Sequence, residues 1–330
     1  MNRYRFRLGS RSIGSIQAII NAPSINTPSP PRAARRGSAR IAALHCYPLK
    51  SAAGLSLEQA RLTPTGLAHD RHWIIVTPAG RFRTQREWPQ LALIRTELSR
   101  QSLLLHAPSA PHAPPRATLA VPLVPTRPLQ PRPVTIWKDQ LVARDEGDRA
   151  ADWLGALLGE ECRLVRFDPA ARRLSAPSWT GPIEAQNCFT DGFPILVIGL
   201  DSLAELNSRL PRALPMTRFR PNIVLEGLAP YQEDDIEELF DEQLCLRLVK
   251  PCTRCVITTT DQQTGERCDQ EPLHTLRTFR FDPQLQGVTF GQNAVIVRGV
   301  PGELRCGQSL QIRWKPAHHP TTPTAFAALP

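Results

Sequence analysis

The stretch KPCTRCVITTTD, residues 250–261, decides what kind of protein this chain encodes. It follows LCLRLV, residues 244–249, with the composition of a strand, and it sets Cys252 and Cys255 in a Cys-x-x-Cys pair around Arg254. Three chemistries use such a pair. A zinc site needs two more ligands at suitable spacing, and only Cys268 and His274 lie near, in no paired motif. A thioredoxin-like dithiol follows a strand and opens a helix, whereas β-branched residues follow Cys255 and predict a strand over 256–260. The third possibility is a pair of buried cysteines with no chemistry. Arg254 weighs against it, because a guanidinium beside Cys255 favours the thiolate, the form that binds soft metals.

Outward from this stretch, three other segments carry groups suited to an anionic ligand. Tyr47-Pro48-Leu49-Lys50-Ser51 ends a strand with an ammonium and a hydroxyl, ahead of Gly54. Asp70-Arg71 opens a strand, and Arg218-Phe219-Arg220-Pro221-Asn222 carries two guanidinium groups. None forms a GxxxxGK[ST] loop or a GxGxxG fingerprint, and no GxSxG elbow occurs. Nucleotide-binding and serine-hydrolase classes are therefore disfavoured.

Composition narrows the class further. The chain has 330 residues, 41% hydrophobic and 21% charged, close to the average for a soluble globular protein. Its 33 prolines disfavour long helices and suit a β-rich fold. The formal charge of +10 is concentrated in residues 1–40, which hold Arg3, Arg5, Arg7, Arg11, Arg32, Arg35, Arg36 and Arg40 and no acid. Residues 41–330 are nearly neutral, so the charge excess is not on the fold, as nucleic-acid binding would require. The basic segment resembles a transit peptide or a disordered tail. Cytoplasmic location is expected, with organellar import as the alternative. No segment is long and apolar enough to span a bilayer. Eight scattered cysteines suit a reducing compartment rather than a disulfide scaffold.

Hydrophobic periodicity predicts strands at 41–47, 70–77, 81–85, 91–98, 103–106, 134–137, 141–143, 193–198, 219–226, 244–249, 294–298 and 309–314. Helices are expected at 148–158, at 201–210 with Asp201 as N-cap, and at 271–280 with Pro272 in the first turn. The nine prolines of 107–133 predict a long surface loop. The expected fold is mixed β/α but predominantly β: a β-barrel-like domain at 41–167, then a second β-barrel domain with a few short helices at 168–314. Disordered tails are expected at 1–40 and 315–330.

Several ordered segments together carry a family resemblance. IAALHCYPLKSAAGLSLEQARLTPTGLAHDRHWIIVTPAGRFRTQREWPQLALI (41–94) resembles the N-terminal β-barrel domain that is paired with MOSC domains. DGFPILVIGLDSLAELNSRL (191–210), RFRPNIVLEG (218–227), KPCTRCVITTTDQQTGE (250–266), EPLHTLRTFR (271–280) and FGQNAVIV (290–297) resemble the MOSC domain itself. This two-domain family includes the mitochondrial amidoxime-reducing components and their bacterial counterparts.

The resemblance implies a molybdenum cofactor (Mo-molybdopterin) with Cys255 as the catalytic residue and the protein's metal ligand. It implies that Lys50, Ser51, Arg71, Asp191, Arg220, Asn222, Thr253 and Arg254 hold the pterin and its phosphate. Cys252 is assigned to packing. The implied activity is an oxidoreductase that reduces small N-hydroxylated compounds with electrons from a separate flavoprotein, ferredoxin or cytochrome-type donor. The alternative is a sulfur or molybdenum-cofactor carrier that uses Cys255. Many bacterial relatives add an iron–sulfur domain with four cysteines, but only Cys306 follows Cys268 here, so no such cluster is expected in this chain. Pyridoxal phosphate, linked to MOSC domains through another protein's second half, is not supported by the sequence.

Overall fold

The computed structural model describes residues 37–108 and 118–316. Seven strands close into a barrel. They run in the order Ile195–Gly199, Ile223–Glu226, Ser38–Cys46, Ser309–Trp314, Ile236–Phe240, Cys245–Thr253 and Gly287–Arg298, and the last pairs back with the first. Alternating residues fill its interior, among them Ile41, Leu44, Val197, Ile223, Leu225 and Leu246, all fully buried.

The barrel is not built from the second half of the chain alone. The strand Ser38–Cys46 lies between Ile223–Glu226 and Ser309–Trp314, antiparallel to both. Gln59–Thr63 likewise pairs with Gly302–Arg305. The reason is visible in the side chains: Ala39, Ile41, Leu44 and Cys46 are buried, and this apolar face needs the barrel interior to cover it. The expected tail boundary shifts accordingly, because Ser38, Ala39 and Arg40 already belong to this strand. Residues 1–36 and 317–330 of the two expected tails lie outside the described residues.

The rest of the first half forms two smaller sheets. One orders Trp73–Val76, Arg163–Arg166, Asp139–Asp145 and Gln130–Ile136, and the other Arg95–Leu98, Ser102–His106 and Leu119–Pro122. The helix Asp148–Leu158 packs Ala150 and Leu154 onto the cluster around Trp73 and Leu103. Its bounds match the sequence expectation.

Other local expectations are corrected. The stretch expected as a loop over 107–133 contains Leu119–Pro122 and the start of Gln130–Ile136, while 109–117 lies outside the described residues. Both strands are at sheet edges, where proline removes no ladder hydrogen bond, so Pro122, Pro131 and Pro133 are tolerated. The segment 81–85 makes only isolated bridges, and a 3-10 turn, Pro89–Leu93, precedes Arg95–Leu98. The helix Leu200–Arg209 starts from Gly199 with no side-chain cap, so Asp201 is not its N-cap. Pro272 precedes the helix Leu273–Phe279 rather than sitting in its first turn.

The correction that bears on the site is the one after Cys255. Residues Val256–Thr259 form a 3-10 turn, not a strand. Thr258 donates both its amide (3.0 Å) and its hydroxyl (2.9 Å) to the Cys255 carbonyl, and the Thr259 hydroxyl donates to Val256 O at 2.8 Å. Hydroxyl groups that bond back onto the chain offset the β preference of these threonines.

Candidate functional site

The site is built around a buried tyrosine. Tyr47 follows the strand Ser38–Cys46, and the guanidinium carbons of Arg71 and Arg220 lie 4.3 and 4.2 Å from its ring centroid. Stacking on one ring lets two like charges approach each other at reduced cost. A Cβ on Gly54 would stand 2.4 Å from that ring, so the glycine is required by close approach. Burial above all pushes the Tyr47 hydroxyl pKa up to about 12, leaving the phenol neutral at ordinary pH.

The two arginines are held mainly by backbone and amide oxygens. Arg71 donates to Asp70 Oδ2 at 2.6 Å, to Asn222 Oδ1 at 3.1 Å and to Arg220 O at 3.1 Å. Burial opposes its charge, but nearby negative charge, chiefly the hydrogen-bonded Asp70 carboxylate, outweighs burial and raises its pKa. Arg220 donates to Ala52 O at 2.7 Å. Burial, then the Arg71 charge, lowers its pKa to about 10, so it remains cationic at neutral pH.

Lys50 is buried and donates to Phe189 O at 2.7 Å and to Asp191 Oδ1 at 2.6 Å. The partners respond differently. For Lys50, burial outweighs the pull of Asp191 and lowers the ammonium pKa. For Asp191, desolvation by the protein packed around the site opposes ionisation, but the Lys50, Arg86 and Arg71 charges win and hold its pKa far below the usual carboxylate range, even though 59% of its own side chain is exposed. The geometry therefore supports an ionised pair. Because the carboxylate is open to solvent, the pair adds little to stability.

Backbone strain collects here. Ser51, Arg71 and Arg220 have φ of 72°, 49° and 58°, in the left-handed region that non-glycine residues avoid. Such conformations cost on the order of 1–3 kcal/mol each and cluster where geometry serves a function.

The cysteine loop completes the site. Arg254 does not serve Cys255: it donates to Cys252 Sγ at 3.0 Å and to Phe219 O at 2.6 Å, and its Nε is buried without a partner. The guanidinium on Cys255 comes instead from Arg86, whose Nη2 lies 3.1 Å from Cys255 Sγ. Cys252, assigned to packing from the sequence, lines the same cavity as Cys255.

All nine residues singled out from the sequence line that one cavity: Lys50, Ser51, Arg71, Asp191, Arg220, Asn222, Thr253, Arg254 and Cys255. Lys50 and Ser51 are separated from Cys255 by about 200 positions, and only the barrel brings them together. Asn222 is the least free of the nine. It is 1% exposed, accepts from Leu196 N and Arg71, and donates to His45 O at 3.2 Å. The lining holds four cationic side chains (Lys50, Arg71, Arg220, Arg254) against a single carboxylate, Asp191. That balance, with an unpartnered Arg254 Nε and a soft sulfur beside it, fits a phosphorylated anion carrying a thiophilic metal. Among the described residues, no group of three or more His, Cys, Asp or Glu side chains could hold a metal by itself. Sequence reasoning missed Arg86. It lies in Arg81-Phe82-Arg83-Thr84-Gln85-Arg86, where three arginines fall within six residues and nothing in the sequence marks one of them out.

Comparison with known proteins gives a consistent result. Residues 38–161 match the MOSC N-terminal beta barrel domain and residues 184–311 match the MOSC domain. The chain is 34% identical over 287 residues to mitochondrial amidoxime-reducing component 1 of Mus musculus, covering 82% of each chain. It is 32% identical over 286 residues to the Homo sapiens protein of the same name, again covering 82% of each. It is 29% identical over 259 residues to mitochondrial amidoxime reducing component 2 of Bos taurus, covering 75% of this chain and 74% of that protein.

Proposed function

The chain belongs to the MOSC family, and from that premise we propose that it is a molybdenum-cofactor-dependent oxidoreductase that reduces small N-hydroxylated compounds. The observation that carries this is the convergence of Cys255 with four cationic side chains on one cavity. The names of the relatives, amidoxime-reducing components, supply the substrate class. The cofactor, when bound, supplies a metal able to take oxygen from an N–O group in a two-electron reduction.

The chain's own residues have separable tasks in this proposal. Cys255 presents the soft sulfur to the metal. Lys50, Arg71, Arg220 and Arg254 supply positive charge for the phosphate, and the Ser51 and Thr253 hydroxyls add neutral hydrogen bonds. Asp191 can only accept hydrogen bonds while ionised, so it suits N–H donors of the pterin rather than the phosphate. Asn222 acts from behind, by keeping Arg71 in place.

Electrons would come from a separate flavoprotein, ferredoxin or cytochrome-type donor, in keeping with "component" in the relatives' names. "Mitochondrial" in those names, with the acid-free Arg-rich segment 1–40, favours import into an organelle over the cytoplasm. No helix among the described residues is long and apolar enough to cross a membrane.

The test is a matched pair of cysteine variants beside the wild type, measuring molybdenum per chain and dye-coupled reduction of an N-hydroxylamine. Cys255→Ser replaces a soft ligand with a hard, poorly ionised one and should abolish turnover. Cys252→Ser should keep turnover. Equal loss in both variants, with both folded and metal-loaded, would overturn the single-ligand assignment. A molybdenum-loaded wild type that passes on cofactor or sulfur but turns over no N-hydroxylated substrate would be a carrier.

A further inference from the structure

Arg86 is held with unusual care for a residue outside the cavity lining. Its segment is folded on itself: Glu87 Oε2 accepts from Thr84 N at 2.9 Å and Thr84 Oγ1 at 2.8 Å, and Trp88 N donates to Thr84 O at 2.9 Å. The buried Gln85 side chain donates to Ser51 O at 2.7 Å, which ties the segment to the strained turn of the site. Arg267 grips the backbone from the other side, donating to the carbonyls of Arg86 and Gln85. The Arg86 guanidinium lies 4.7 Å from the Trp137 ring centroid, and Phe82 meets the same ring edge-on at 5.0 Å. Trp137 itself has φ of 54° in its hairpin turn.

This placement leaves part of the guanidinium unsatisfied. Arg86 Nη1 is buried without a hydrogen-bond partner, an unfavourable arrangement for a charged group. Here the side chain keeps Nη2 on Cys255 Sγ at 3.1 Å. Groups that orient a ligating atom and stabilise its negative charge tune the metal it binds.

We propose that Arg86 is the positioning residue for the Cys255 sulfur, fixing its direction and stabilising its negative charge, with Trp137 and Arg267 as the brace that holds Arg86 there. This rests on the assignment of Cys255 as the metal ligand. The guanidinium charge beside the sulfur favours the more electron-rich, reduced state of the bound metal. Losing it therefore lowers the metal's reduction potential.

The experiment compares Arg86→Gln and Arg86→Lys with the wild type in three readouts. These are the metal's reduction potential, the split between kcat and KM for an N-hydroxylated substrate, and the rate at which iodoacetamide alkylates Cys255 relative to Cys252 in cofactor-stripped protein. Arg86→Gln should shift the potential to more negative values. It should also lower kcat by about 10–100-fold with little change in KM, the range for loss of a group supporting a metal ligand. Alkylation of Cys255 should slow relative to Cys252. Arg86→Lys, which keeps the charge but not the fork, should recover part of each effect and controls for misfolding. An unchanged potential and an unchanged Cys255 alkylation rate in folded Arg86→Gln would overturn the proposal, whatever happens to activity. If the wild type proves to hold no molybdenum, the reductase assignment fails, and the alkylation arm alone decides whether Arg86 governs the sulfur.

Discussion

Asn222 has two possible roles, and replacing it by alanine separates them. If its amide only touched a bound cofactor, Asn222→Ala would leave the cofactor-free protein as stable as before. The structure predicts otherwise. The side chain accepts from Leu196 N at 3.1 Å and donates to His45 O at 3.2 Å, linking two barrel segments, while Oδ1 also receives Arg71 at 3.1 Å. Arg71 keeps Asp70 and Arg220 O after the substitution, so the groups left unpaired are one N–H and one C=O. At about 1–3 kcal/mol for each buried group left unsatisfied, and allowing for partial relief by water, the loss is about 2–4 kcal/mol. For a chain of this size, with an unfolding entropy of about 0.7 kcal/mol/K, that lowers Tm by about 3–6 °C. The assay is thermal unfolding of cofactor-stripped protein followed by circular dichroism. A drop in Tm below about 2 °C for Asn222→Ala would refute the brace and return Asn222 to the ligand side of the cavity.

Further outcomes follow from single residues. The pKa of His72 is lowered from 6.5 to about 4, chiefly by burial and then by His69 and Arg166. The unfolded chain therefore takes up a proton below pH 6.5 that the native state does not, and stability falls by up to about 3 kcal/mol between pH 6.5 and 4. His72→Gln should flatten that part of a stability-versus-pH curve from urea melts, and an unaltered slope would contradict the assignment. Gly291 has φ of 80°, and a Cβ there would stand 2.6 Å from Ile198 Cγ1 and 2.8 Å from Val197 O. Gly291→Ala should cost at least about 2 kcal/mol in the same urea melts, since it adds strain and a clash where the barrel closes.

Local sequence pattern was enough for the β-rich class, the helix Asp148–Leu158 and most barrel strands, because apolar alternation reports which face of an element is buried. The cavity residues were singled out by the family resemblance that the ordered motifs carry together, because no one of those motifs is specific by itself. Three matters were decided only by the tertiary structure. Ser38–Cys46 completes a barrel made mostly of residues 195–314, and strand pairing across such a separation leaves no local trace. Val256–Thr259 turns rather than extends, because threonine hydroxyls find carbonyl acceptors that propensity does not count. The guanidinium on Cys255 belongs to Arg86 and not to its neighbour Arg254. Adjacency in sequence says little about which side chain points where, and Arg254 is turned away to Cys252 and Phe219 while a distant segment brings Arg86 to the sulfur.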